Sequence, residues 1–213
     1  MLLVIDTAEA ACSVALARAG EVVARRHDLV GRGHAERLMP MIAELLGQSG
    51  PCATPAIVPE MIVVDCGPGS FTGVRVGLAA ARALALGWGV PVHGYASTAL
   101  VAAQAFALHD CDEVAVALAG GHGQLFVQNY ARAPFVAIDA LQSLPPDAAL
   151  AAADGRMIAG SGAAALAATG CAADRLMPIT LDAAAAILLP RDQRLLPPRP
   201  IYGRLPDAKP KAA

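Results

Sequence analysis

The sequence predicts an α/β fold with mixed sheets flanked by helices, arranged as two unequal lobes, on three observations. Short Val-, Leu- and Ile-rich runs alternate with helical periodicities in the order β, β, β, α, β, α and then β again. Glycine and polar turns punctuate the first half clearly, whereas after His109 the chain turns Ala-rich with few breaks. The 213 residues are 56% hydrophobic and 16% charged with a net charge of −2, too apolar for a disordered chain and enough to bury a sizeable core. Such an order of elements fits a fold of the RNase H-like or actin-like type.

Each element follows from local pattern. "LLVIDT" (2–7), "CSVALAR" (12–18) and "EVVARRHD" (21–28) are β-rich runs separated by tight turns and read as a meander. "GHAERLMPMIAELLGQSG" switches to helical spacing and stops at glycine, with Pro40 expected to kink the helix or mark its start. "MIVVDC" is a buried strand, residues 72–87 a helix, and "VPVHGY" a strand. Ser97 and Thr98 can cap the helix "TALVAAQAFAL". Beyond it, "DEVAVALA" and "QLFVQNY" are strands around the turn "GGHG", and "FVAIDAL" is a further strand. We expect lobes at 1–108 and 109–196, followed by a proline-rich tail at 197–213 that is either disordered or a docking arm.

Composition removes several classes of function. Aromatics are only 4% and the charge is near neutral, which argues against independent nucleic-acid binding. The five cysteines form no C-x-x-C pair and read as buried thiols. Five histidines include no pair at ligand spacing, so no metal is expected, and no nucleophile elbow is present. "MLLVIDT" lacks the flank and apolar length of a signal peptide, and Arg75 and Arg82 interrupt the best candidate span, so a cytoplasmic chain outside the membrane is expected.

Three places could carry chemistry. The corner "DTAEAACS" places Asp6 and Thr7 at the end of the first strand, where a carboxylate can work beside phosphate or simply cap backbone N–H groups; Glu9 would repel a phosphate held there. The loop "GPGSFTG" opens a helix with Gly67, Gly69, Ser70, Thr72 and, one turn on, Arg75. Such a loop is either an anion site or a structural strand-to-helix corner, and it is neither a P-loop nor a Rossmann fingerprint. On the helix after "GRGH", the apolar positions Leu38, Met39, Met41, Ile42, Ala43, Leu45 and Leu46 cover roughly 200° of the wheel, more than one core needs. That surplus suggests a second burial partner.

The segments "IDTAEAACSVAL", "GRGHAERLMPMI" and "DCGPGSFTGVRVGLAAARALALGWGVPVHGYAST" together resemble the TsaB (YeaZ) family of bacterial tRNA threonylcarbamoyladenosine biosynthesis. The likeness is nearly gapless over about residues 1–107 and thins afterwards to "GQLFVQNY" and "PIYGR". It implies an actin-like (ASKHA) fold and a non-catalytic platform that dimerises with a TsaD-like catalytic subunit, beside a TsaE-like ATPase. The platform would meet tRNA only through the complex and, when alone, be either a monomer or a homodimer. No cofactor of its own is implied, though ATP or ADP could sit at the joint. The subunit interface would fall on His34, Arg37, Leu38, Met41, Ile42 and Leu45, so that Leu38→Asp or Met41→Asp blocks association and leaves the monomer folded. Where many members carry Asp and Arg, this chain has Ala119 and Gly121. The alternative is an actin-like ATP-dependent phosphotransferase or ATPase using Asp6 and the Gly67 loop. A zinc peptidase, as relatives were once described, lacks ligands.

Overall fold

The computed structural model describes residues 1–47 and 56–204. The far end of the first predicted helix, Cys52 and the last part of the tail, 205–213, lie outside the described residues.

The first sheet contains β1 (Leu2–Asp6), β2 (Ala11–Arg18), β3 (Glu21–Leu29), β4 (Met61–Asp65) and β5 (Val92–Tyr95), in the order β3-β2-β1-β4-β5. The meander β1–β3 is antiparallel, and β4 and β5 add in parallel. Central strands β1, β2 and β4 are buried on both faces, hence their unbroken apolar runs, while edge strand β3 alternates. On one face lie α1 (His34–Leu45), against β2 and β3, and α2 (Phe71–Trp88), against β4, β1 and β5. On the other face a short 3-10 segment, Ala183–Leu188, crosses β1–β3 and meets α3 (Ser97–Leu108).

The second sheet contains β6 (Glu113–Ala119), β7 (Leu125–Ala131), β8 (Val136–Ala137), β9 (Gln142–Leu144), β10 (Met157–Ala159) and β11 (Leu176–Met177), in the order β11-β10-β6-β7-β8 with β9 also on β7. Helices α4 (Pro146–Ala152) and α5 (Ala163–Ala167) connect its later strands. An antiparallel pair β6–β7 followed by parallel β10 and β11 repeats the plan of β1–β2 with β4 and β5. Two copies of one plan, packed through α3, make an actin-like fold. From Leu181 the chain returns to the first sheet: Ser13 Oγ accepts from Ala183 N at 2.9 Å, Leu196 bridges Gly94, and Ile201 N donates to Cys66 O at 2.7 Å.

Several local expectations change. Helix α1 starts at His34 and runs through Pro40, whose missing N–H falls on an exposed face. "FVAIDAL" yields only the two-residue β8, and β9 follows it. Neither Ser97 nor Thr98 caps α3; Ser97 donates to Asp65 at 2.6 Å, and Thr98 donates to Gln128 at 2.9 Å. Cys12, Cys66 and Cys171 are buried thiols, but Cys111 is only half-buried.

Candidate functional site

The strand-to-helix corner is closed by the chain's own backbone. Asp6, at the end of β1, is fully buried and its Oδ1 accepts from Ala8 N at 3.1 Å, while Thr7 Oγ1 donates to Gly73 O at 2.7 Å. Ser70 caps α2 by accepting from Gly73 N at 3.2 Å, and Ser70 N donates to Ala8 O at 2.6 Å. The glycines explain the fit. A Cβ on Gly69 would stand 2.2 Å from Ala8 O, and one on Gly73 2.1 Å from Thr7 O. Gly67 is required for a different reason, a φ of +93°. Two N–H groups that a phosphate could use are thus taken, Ser70 N by Ala8 O and Gly73 N by the Ser70 hydroxyl. Thr72 is exposed at the helix start. Arg75 lies one turn along, stacked 3.6 Å over the Phe71 ring and donating to Tyr202 Oη at 3.1 and 3.2 Å.

Beside Asp6 the structure brings a second carboxyl that sequence reasoning missed. Asp65 ends β4 as Asp6 ends β1, and its Oδ1 accepts from Gly67 N and Ser97 Oγ, both at 2.6 Å. Its Oδ2 faces no donor among the described residues. Burial, with the Asp6 charge beside it, pushes Asp65 well above the ordinary carboxylate range; burial also raises Asp6. A protonated Asp65 becomes a donor that Asp6 can accept, and Tyr95 Oη supplies Asp6 with another at 3.1 Å. The signal was present as two apolar strands each ending in Asp. At 0% and 1% exposure, neither carboxyl reaches a ligand from outside.

Between the two sheets opens a cleft of about 960 Å³. Glu9 from the first lobe, Gly120, Gly121, His122, Phe126 and Ser161 from the second, and Phe71, Arg75 and Tyr202 line it. Ser161 Oγ donates to Glu9 and accepts from Ala119 N at 3.0 Å, so a carboxyl of the chain itself joins the two lobes. Burial pushes the Glu9 carboxyl up to about 7. Ala119 and Gly121 leave this wall without a charge of their own. Among the described residues no group of three or more His, Cys, Asp or Glu is arranged to hold a metal, and no helix is long and apolar enough to cross a membrane.

The predicted interface residues on α1 are mostly elsewhere than expected. Leu38, Met41, Ile42 and Leu45 are buried in the chain's own core, at 6% exposure or less, because α1 lies flat on β2. His34 is also buried, its Nε2 2.8 Å from Glu9 O and 3.2 Å from Ala11 O, so it pins α1 to the β1–β2 hairpin. Arg37 pairs with Asp28 on β3 at 2.5 Å and with Glu44 at 3.5 Å. The apolar surplus is therefore narrower than the wheel suggests. What faces outward is Ala35, Met39 and Pro40 on α1, and Ala79, Ala83 and Leu86 on α2. Since Arg37 and Glu44 lean toward β3, Met39 and half-buried Ala43 occupy the flank toward α2.

The twice-used strand plan and the cleft between its copies define a chain of the actin-like class. A family model described as "TsaD: tRNA N6-adenosine threonylcarbamoyltransferase" matches residues 22–145, more than half the chain. Two proteins named "tRNA threonylcarbamoyladenosine biosynthesis protein TsaB" are similar. That of Haemophilus influenzae is 37% identical over 131 residues, covering 62% of this chain and 54% of that protein. That of Escherichia coli is 37% identical over 131 residues, with 62% and 55% covered. The alignments span about half the length of these curated relatives. The solved structure of YeaZ from Pseudomonas aeruginosa superposes with a TM-score of 0.70 at 25% identity, covering 94% of this chain and 98% of that one. The chain belongs to the TsaB (YeaZ) family.

Proposed function

We propose that this chain is a non-catalytic subunit that binds and activates a TsaD-like transferase in N6-threonylcarbamoylation of the adenosine beside the anticodon of tRNA. The observation that carries the reading is the outward apolar strip of α1 and α2. Met39 is 45% exposed and Leu86 87%, on adjacent helices whose buried faces already fill the core. A pair of partner helices laid on that strip completes a bundle. The closed corner supports the non-catalytic part, since Asp6, Thr7 and Ser70 are bonded to the chain's own backbone there. A TsaE-like ATPase, a nucleotide at the joint, self-association in the partner's absence and a cytoplasmic location belong to the same reading, as does the division into lobes near residue 109. The revised interface is Met39, Pro40, Ala79, Ala83 and Leu86, flanking the buried row named from the sequence.

Light scattering on a sizing column tests it, with the chain alone and with the TsaD-like protein of the same organism, with and without ATP and Mg2+. A new one-to-one species is expected, abolished by Met39→Asp with Leu86→Asp while the monomer's thermal melt is unchanged. No complex under any condition, together with ATP turnover by this chain alone, would overturn the reading in favour of a phosphotransferase.

A further inference from the structure

The last described residues run back along α2 as an extended strap. Arg82 of α2 donates to Pro198 O at 2.5 Å, and Arg75, about two turns earlier, donates to Tyr202 Oη, so strap and helix are antiparallel neighbours. Charge is segregated onto this pair. Helix α2 holds Arg75 and Arg82 with no acid, and residues 196–204 hold Arg199 and Arg204 with none, in a chain whose net charge is −2. Arg75, Arg82 and Arg199 are exposed. Among the described residues no carboxylate pairs with any of these three. At the Arg75 end two rings are exposed as well, Phe71 at 54% and Tyr202 at 49%, with the guanidinium 3.6 Å and 5.9 Å from their centroids.

We propose that this ridge of α2 and the strap is an RNA contact surface, its arginines meeting backbone phosphates and the Phe71–Arg75–Tyr202 stack meeting an unpaired base. Guanidinium groups match phosphate oxygens bidentately, and exposed rings beside them favour RNA over an acidic protein surface, which offers no base to stack. A net charge of −2 keeps the contact weak in the chain alone, so it works as one wall of an assembly. The position suits that use. Arg75 is four residues before Ala79 and Arg82 four before Leu86, so the arginines border the apolar strip directly and RNA on the ridge would lie against a partner seated on the strip. The choice of tRNA as the RNA rests on the function proposed above.

The experiment measures anisotropy of labelled unmodified tRNA against the chain alone and against its complex with the TsaD-like protein, from 50 to 200 mM KCl. The variants are Arg82→Gln/Arg199→Gln and, as a charge-matched control, Arg18→Gln/Arg26→Gln on β2 and β3. Each phosphate contact contributes roughly 0.7–0.9 to the log–log salt slope, so the ridge variant should lose about 1.5–2 from it and the control little. Phe71→Ala should weaken binding without changing the slope. Equal affinity and slope in ridge variant and wild type, an equal loss in the control, or no salt-dependent tRNA binding in either form would overturn the inference. If the ridge variant no longer joins the TsaD-like protein, the ridge meets an acidic protein and the RNA assignment fails. If wild type forms no complex, the proposed function fails, while the chain-alone titration still decides the ridge.

Discussion

Replacing Gly73 by Ala separates a structural corner from an anion cradle, and α2 supplies its own control in Gly87. At Gly73 the new methyl would stand 2.1 Å from Thr7 O and 3.3 Å from Ser70 Cβ. An ordinary contact needs more than 1 Å of extra room, so helix and hairpin must part or tilt. Overpacking of this kind costs about 1–3 kcal/mol. Moving the helix also strains the buried Thr7–Gly73 and Ser70–Ala8 hydrogen bonds, each worth about 1 kcal/mol. Against this the helix gains about 1 kcal/mol from losing a glycine. The net expectation is a loss of about 1–3 kcal/mol. At Gly87 nothing lies within 4 Å of the added methyl. The same substitution there keeps only the helix gain and should stabilise by about 0.5–1 kcal/mol. Urea unfolding followed by circular dichroism reads both, as opposite shifts of the midpoint at a common slope. The reasoning is refuted if Gly73→Ala matches wild type in stability, and an accompanying loss of phosphate affinity would reinstate the anion cradle.

Two further outcomes follow from burial. Leu38→Asp or Met41→Asp, at sites with 1% and 0% exposure, should leave no folded monomer, because a carboxylate would enter the core. A cooperative melt from either variant would return those side chains to a partner surface. Glu9 has a folded-state value of about 7 against 4.5 when free, so the stability it contributes is complete below about pH 4.5 and lost as pH rises through 7. Glu9→Gln should therefore gain on wild type between pH 5 and pH 8 by up to about 3 kcal/mol. Parallel urea midpoints for the two proteins across that range would refute the raised Glu9 value.

The first lobe was legible because each element there is both periodic and punctuated: β1, β2 and β4 are apolar runs closed by Asp or Gly, and Ser70 caps α2 as its place before the helix suggests. In the second lobe α4 and α5 escaped. Alanine packs without declaring a face, so "DAALAAADG" and "GAAALAATG" carry little periodic contrast. The site was half legible. Loop "GPGSFTG" was narrowed to two readings, and the close approach of Gly69 to Ala8 O and of Gly73 to Thr7 O could not be read from the local pattern. The α1 wheel counted apolar positions correctly but could not know that β2 would absorb Leu38, Met41, Ile42 and Leu45. Asp65 and Ser161 meet their partners across 59 and 152 residues of sequence, as do Asp6 and Glu9 in turn, and no local pattern reports such pairs.

The return of residues 181–201 to the first sheet sets the order in which the molecule can be completed. Gly94 of β5 and the carbonyl of Cys66 receive their last partners from Leu196 and Ile201, more than 100 residues downstream. During synthesis the first lobe can gather β1–β5 early, yet the outer edge of β5 stays open until the second lobe has been made and the chain has crossed back. Closure of that edge is a late, high-contact-order event that reports on both lobes at once. A ribosome-bound chain stopped before residue 196 should therefore expose β5 to chaperones in a way the finished protein never does.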